Sequence, residues 1–371
     1  MVRRRLFGVM FILGLGIGSW SGDVLADGVF EVRDVAVDVT AKTAAQAREQ
    51  AHAEGEARAF RQLLERLTLS EDHANLPAFE PGEIAAFVND FSVSDEKTSA
   101  VRYLARLHFR FKPDAVRNLL RDNGLQFAET PSKPVLLLAV YQSAGGLVLW
   151  DDPNPWRDAW NQLRGAGGLV NLALPLGDLT DIRLVKVQQA VRGEVEALGQ
   201  LANRYRAGDT VVAYARSGLN PDGAGQRADI SITRFSPHQE PQTNLLALDQ
   251  AEGEDLGALL VRAADAVAAD LEDSWKRENL LVGGEAGVAA VTVPITGLGD
   301  WLGVQKRLKS VAVVRDIETV LMSLDEVRVN LHYVGAAAQL QTALGQSDLA
   351  LVREDNEWVL YPSGVAPASG R

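Results

Sequence analysis

The sequence predicts a mixed α+β and α/β chain of three small domains in series, the last of them ferredoxin-like. Three observations lead there. Apolar patterns of period two and of period 3.6 alternate along the chain, as strands and helices require. Two punctuated stretches, Thr130-Pro-Ser-Lys-Pro134 and Gly283-Gly-Glu-Ala-Gly287, divide it. The 371 residues, 47% hydrophobic and 23% charged, suffice for two or three domains with real cores.

The first residues predict a signal peptide over 1–26. Arg3, Arg4 and Arg5 form a positive start, Leu6–Ile17 an apolar run, and Val24-Leu25-Ala26 places small residues where cleavage before Asp27 needs them. The run is shorter than the roughly 20 residues of a spanning helix, and glycines interrupt it. Its Gly14-Leu-Gly-Ile-Gly18 imitates a nucleotide loop only by composition. The reading is a periplasmic protein, with no transmembrane helix after processing. Cysteine is absent, which excludes disulfides, thiol catalysis and Cys-ligated metals. A net charge of −12 excludes a general nucleic-acid binder.

The first domain spans 28–128. Val29–Thr40 reads as a strand whose Phe30 and Val32 are out of phase with Val35, Val37 and Val39, which predicts a bulge near Arg33-Asp34. Thr43-Ala-Ala-Gln46 fits a capping box opening a helix to about Leu67. Gly55 inside that helix predicts a close backbone contact. Strands follow near Phe87–Val93 and Val101–Phe111; Val101, Tyr103, Ala105, Leu107, Phe109 and Phe111 face inward. Pro113 starts a helix and Gly124 closes it, giving the order β-α-β-β-α.

The second domain spans 134–282. Val135–Val140 is a continuous apolar run suited to a central strand. Asn154-Pro155 caps a helix with Trp156, Trp160 and Leu163 on one face, ended by Gly165-Ala-Gly-Gly168. Leu169–Leu174 reads as a short strand and Leu174–Asp181 as a turn. Val191, Val195, Leu198, Ala202 and Tyr205 predict one apolar stripe along a helix, with Gly208 as its left-handed terminus and a buried strand at Thr210–Ala215. Strands at Arg227–Phe235 and Thr243–Leu248 precede an amphipathic helix carrying Leu256, Leu260, Ala264, Val267, Leu271 and Trp275.

The third domain, 288–361, reads β-α-β-β-α-β, the ferredoxin-like order. Ala290–Ile295 is a strand; Leu298, Trp301, Leu302 and Leu308 line a helix; Val327, Val329, Leu331 and Tyr333 alternate on a strand. Gly335 opens a helix to Leu344, and Leu349–Val352 turns through Asp355-Asn356 into Trp358–Tyr361. Residues 362–371 read as a disordered tail.

Catalytic patterns are missing. His52, His73, His108, His238 and His332 are scattered and form no metal-ligand spacing, and no nucleophile elbow, Walker loop or kinase signature occurs after the signal segment. No cofactor, metal or catalytic residue is assigned. Three constellations have two readings each. Arg102, Arg106, His108, Arg110 and Lys112 form a basic strand face, fit either to be solvated or to bind an acidic partner or lipid phosphates in a peripheral membrane contact. Asp151-Asp152-Pro-Asn154 is either a turn with a helix cap or part of a calcium loop. Gly177-Asp178-Leu-Thr-Asp181 is either a turn or a carboxylate pair dividing acid and base roles in a periplasmic hydrolase.

Several stretches resemble a family of bacterial envelope proteins known as domain of unknown function 2066. They are Phe60-Arg-Gln-Leu-Leu-Glu-Arg-Leu-Thr68, the strand ending Phe109-Arg-Phe111 before a helix with Leu119-Leu120, Pro134-Val-Leu-Leu-Leu138, Leu174–Asp181, and Leu201-Ala-Asn-Arg-Tyr205 before a valine strand. Leu69 stands where the family's pattern has a glycine. The resemblance implies an exported protein and carries over no catalytic residue. The middle domain is also similar, at the level of fold, to the amino-terminal domains of TolB and curli-secretion proteins. The expected function is a non-catalytic binding or assembly factor of the cell envelope with a periplasmic or envelope protein partner.

Overall fold

The structure, a computed structural model, describes residues 26–80, 82–163, 167–220, 223, 225–237, 240–281, 286–354 and 356–362. The expected signal segment up to residue 25, Gly165 and Ala166, His238, most of the expected glycine linker before Ala286, Asp355 and the expected tail from residue 363 lie outside the described residues. Among the described residues the strands form three sheets, and the chain is of mixed α+β class.

A 3-10 turn at Ala26–Phe30 leads into β1 (Glu31–Thr40), so the strand starts two residues later than its apolar pattern suggests. Then come α1 (Ala44–Leu67), β2 (Val88–Thr98), β3 (Arg102–Phe111) and α2 (Pro113–Asp122). The sheet order is β1-β3-β2, all antiparallel. The expected bulge is present: pairing with β3 shifts between Val32 and Val35, with Asp34 at φ 59°. Extra chain there flips the phase of the valines, so residues on both sides of it reach the core. Thr43 caps α1 by accepting from the Gln46 amide at 3.2 Å. A Cβ on Gly55 would collide with Leu107 Cδ1 and approach Val37 Cγ1 to 3.1 Å, which is why glycine stands in mid-helix. Val101 is the one expected inward residue of its strand that is exposed, because it precedes β3 and lies in the turn from β2.

The central domain contains β4 (Val135–Ser143), β5 (Gly146–Val148), α3 (Pro155–Gln162), β6 (Leu172–Ala173), α4 (Leu179–Leu184), α5 (Val187–Arg192), α6 (Val195–Tyr205), β7 (Asp209–Leu219), β8 (Gln226–Phe235), β9 (Gln242–Asp249) and α7 (Leu256–Glu278). The sheet order is β5-β4-β7-β8-β9, with β6 also pairing to β4. β4 and β7 are parallel, and the pairs β7–β8 and β8–β9 are antiparallel. One apolar core lies between the sheet and α3 with α7, a second between β4–β7 and the α5–α6 side. Burial of every residue from Val135 to Tyr141 explains why β4 shows no alternation.

Three expectations here need correction. The stripe through Val191 and Val195 does not exist: α5 ends at Gly193, with φ 66°, so the helical phase restarts and both valines face solvent. Ala197, Leu198 and Leu201 carry the buried side of α6 instead. Its left-handed terminal residue is Arg206, at φ 52°, not Gly208. Leu174–Asp181 is more than a turn, since Asp178 caps α4 and Asp181 lies within that helix.

The C-terminal domain runs β10 (Ala286–Pro294), α8 (Leu298–Lys309), β11 (Val314–Met322), β12 (Glu326–Val334), α9 (Ala337–Gln346), β13 (Leu349–Glu354) and β14 (Glu357–Pro362). The order β11-β12-β10 reproduces one split βαβ half of a ferredoxin-like sheet. The other half differs: β13 turns away to the edge, and β14 pairs with β10 in parallel. On α8, Trp301, Val304 and Leu308 are buried, whereas Leu298 and Leu302 are exposed.

The domains share side chains. Trp275, near the end of α7, is buried in the core of the N-terminal domain and donates through Nε1 to the Thr130 carbonyl at 2.7 Å. Leu169 joins the same core, and Glu272 accepts from the amides of Leu169 and Val170 at 3.1 and 2.8 Å. Glu129, with no exposed surface, accepts from Arg117 Nε at 2.7 Å and from Arg315 Nη2 of the third domain at 2.9 Å.

Candidate functional site

The basic face is real in direction but matched in charge. Arg102, Arg106, Arg110 and Lys112 are exposed and His108 is half-buried, all on the side of β3 away from the core. As the middle strand, β3 lies between two acid-bearing neighbours. Arg102 makes a two-pronged pair with Asp38 of β1 at 2.7 and 2.6 Å. Arg106 meets Asp95 at 3.3 Å and Arg110 meets Asp90 at 3.1 Å, both on β2. Lys112 donates to the Ala86 carbonyl at 2.9 Å. Alternate residues supply the row, and cross-strand carboxylates offset much of its field.

Around Asp151 the turn-and-cap arrangement is observed. Asn154 is buried, accepts from the Arg157 amide at 3.0 Å, and donates to the carbonyls of Ala139 and Leu149. Asp151 and Asp152 remain exposed. Among the described residues no cluster of three or more His, Asp or Glu is placed to hold a metal ion. His52 lies 3.4 Å from the Tyr103 hydroxyl, and His73 3.2 Å from the Glu65 carbonyl.

The third constellation is the most highly organised. Asp178 is the N-cap of α4: its Oδ1 accepts from the amides of Thr180 and Asp181 at 2.9 and 3.0 Å. Its two oxygens also take Nη1 and Nη2 of Arg204, from α6, at 2.7 and 2.6 Å. Asp181 is fully buried and accepts from Arg204 Nη1 at 2.6 Å, the Tyr205 hydroxyl at 2.7 Å and the Gly177 amide at 2.8 Å. The Tyr205 oxygen in turn accepts the Leu176 amide at 2.8 Å. From α3, Arg157 Nη2 donates to the carbonyls of Pro175 and Leu176 at 3.1 and 2.7 Å. Gly177 has φ 74°, and a side chain there would also strike the Arg157 guanidinium.

These contacts set the charges. The Arg204 guanidinium, with help from the Asp181 and Thr180 amides, holds the Asp178 carboxyl far below the usual carboxylate range. Arg204 is raised in return, chiefly by its hydrogen bonds to Asp178. Burial pushes the Tyr205 phenol up, and its bond to Asp181 adds to that. Asp178 is thus a poor proton acceptor, and the carboxylate pair is closed around one arginine instead of being split into an acid and a base.

Two leucines stand on this fixed loop with their side chains in water: Leu176 is 73% exposed and Leu179 is 85% exposed. Main-chain groups of Pro175, Leu176, Gly177, Thr180 and Asp181 beside them are tied down, so the tip is a preorganised apolar surface. The sequence motif Gly-Asp-Leu-Thr-Asp marked the place but not Arg157, Arg204 or Tyr205, which come from other helices. A separate cleft of about 870 Å³ lies between the central and C-terminal domains and is bridged by Lys133 and Asp348 at 2.7 Å.

The N-terminal unit that supplies the basic face is an α+β domain, and a family model matches it. Residues 31–129 match the family described as Domain of unknown function (DUF8605). That family bears a different number from the one the motifs resemble, and the match ends near the first domain boundary. No curated protein and no solved structure matches the chain. No helix among the described residues is long and apolar enough to cross a membrane.

Proposed function

We propose that the protein is an exported, periplasmic, non-catalytic binding or assembly factor of the bacterial cell envelope, and that the Leu176–Leu179 tip holds a protein partner. The observation that carries this reading is the pairing of two solvent-facing leucines with a backbone fixed by Arg157, Arg204 and Tyr205. Apolar side chains on an already ordered backbone cost no loop-ordering entropy on binding, and exposed apolar tips of this kind suit protein recognition. Export is supported by the Arg3–Ala26 segment. The hydrolase reading would use Asp178 and Asp181, and Arg204 already engages both. The lipid reading draws little support from a basic row whose arginines are each paired.

A photo-crosslinking residue at position 179, in producing cells, tests the binding surface. A discrete protein adduct is expected, lost when Leu176→Ser is added and not formed from the exposed control position Leu324. Absence of an adduct, or the same adduct from both positions, overturns the tip as a binding surface. Export is tested separately by fractionation and N-terminal sequencing: a chain starting at Asp27 is expected in the periplasm, and retention with Met1 intact counts against it.

A further inference from the structure

Among the described residues each sheet ends in strands whose outer edge pairs with no further strand, and such edges invite pairing unless something blunts them. In five of the six edges the device is visible. β1 has its bulge at Asp34 and charges at Arg33 and Asp38. β2 has two register shifts, Asp95 at φ 52°, and a run of Asp95, Glu96 and Lys97. β11 has two register shifts and carries Arg315, Asp316 and Glu318. β5 is three residues long, and β13 is a six-residue strand ending in Arg353 and Glu354.

β9 has none of these. It pairs with β8 without a shift from Gln242 to Asp249, it contains no proline, and it carries no charge before Asp249. Its ladder has a definite phase. Gln250 donates its amide inward to the Gln226 carbonyl at 2.8 Å, so even-numbered residues bond to β8 and odd-numbered ones point their backbone outward. Thr243, Leu245 and Ala247 thus present a straight row of free N–H and C=O groups. Leu245 adds an apolar side chain that is 81% exposed, on the sheet face opposite α7.

We propose that β9 is a self-association edge, where a second copy of this chain pairs antiparallel to continue the sheet across a twofold axis. An axis normal to the sheet keeps the two helix-covered faces on the same side, so facing residues must have the same parity. Leu245 then meets Leu245 of the other copy, and Thr243 meets Ala247. All three are outward residues, so the pairing forms about six main-chain hydrogen bonds. No like charges oppose each other: Asp249 falls opposite Pro241, whose lack of an N–H leaves its carbonyl to accept. The two Leu245 side chains cover one another on the open face. A heterologous strand could use the same hydrogen bonds, but only a second copy brings Leu245 against Leu245 and is self-complementary in charge. The contact is confined to one strand, so it lies at the small end of specific interfaces and the dimer depends on concentration.

Sedimentation of the purified, natively processed protein over about 1–300 µM tests this. A monomer–dimer equilibrium is expected. Leu245→Lys places two ammonium groups face to face and should weaken association at least about tenfold, with an unchanged melting midpoint. Ala247→Pro removes an outward N–H that the monomer does not use and should also weaken it. An equimolar mixture of Leu245→Lys and Leu245→Glu chains should recover association, because opposite charges then meet. A parent protein monomeric throughout the range overturns the proposal, even if the edge captures an added strand peptide. So does a Leu245→Lys chain that dimerises like the parent, or a mixed pair that stays apart.

Discussion

Lys276 donates its ammonium to the main-chain carbonyl of Thr68 at 2.8 Å, and to that of Glu65 at 2.9 Å. The lysine belongs to the last turn of α7 in the central domain, the carbonyls to the end of α1 in the N-terminal domain. Both Lys276 and Thr68 are buried. Those carbonyls have no partner within their own helix, since the last turn of a helix leaves its acceptors free. The side chain of another domain supplies the missing donor. Burial pushes the Lys276 ammonium below the ordinary lysine value, which Glu272 and Asp273 nearby partly oppose.

Lys276→Ala should therefore destabilise the protein by about 1–3 kcal/mol, the cost of stranding the buried Thr68 acceptor, while the Glu65 carbonyl keeps His73 beside it. Chemical denaturation measures it, and hydrogen exchange should rise first at the end of α1. An unchanged midpoint would show that the contact contributes nothing.

Glu129 faces two arginines from different domains, and Arg117 is less exposed than Arg315. Glu129→Ala should cost about 1–3 kcal/mol, because it removes charge-assisted hydrogen bonds across the domains while Arg117 keeps its pair with Asp114. Arg117→Ala should cost more than Arg315→Ala, since water can replace the more exposed partner. Equal losses for the two arginines would contradict the assigned burial.

Gly55→Ala tests the packing of α1 on the sheet. Helix propensity alone favours alanine by about 1 kcal/mol. The added methyl would collide with Leu107, itself fully buried, so overpacking of about 1–3 kcal/mol should win. A rise in melting temperature would mean that Leu107 moves aside freely.

Glu254 gives a pH prediction. The Arg262 guanidinium, with the Ala251 amide, lowers its pKa from 4.5 to about 2. A depressed acid stabilises the fold above its unfolded value and loses that effect as pH falls through the folded one. The turn between β9 and α7 should stay closed at pH 4.5 and open progressively towards pH 2. Carboxyl titration by NMR should find the low value, and Arg262→Ala should move it back up towards 4.5.

The elements legible in the sequence are those governed by near neighbours. β3 was readable because one face is buried and one solvated, so its period of two survives intact. The bulge in β1 showed itself as a phase flip between Val32 and Val35. Thr43, Asn154 and Pro113 marked helix starts because capping is local chemistry. A local pattern misleads where it crosses a break. Val191 and Val195 match the stripe in spacing, but Gly193 resets the helix between them. On α8, Leu298 and Leu302 share the apolar type of Trp301 and Leu308 without sharing their side. In the C-terminal sheet, the β13–β14 hairpin changes which strand reaches β10, and no single-strand pattern reports that choice. The Asp178–Asp181 motif was visible as a pair of carboxylates, yet its meaning depends on Arg204 and Tyr205, more than 20 residues away in sequence.

Trp275 fills a place in the N-terminal core although it belongs to a helix of the central domain. The recurrent unit, residues 31–129, therefore does not own all of its interior. Cut out at those bounds, it would lose an indole and Leu169 together, leaving apolar side chains of its core open to water. The bounds of the matched segment and the bounds of the folded core do not coincide here.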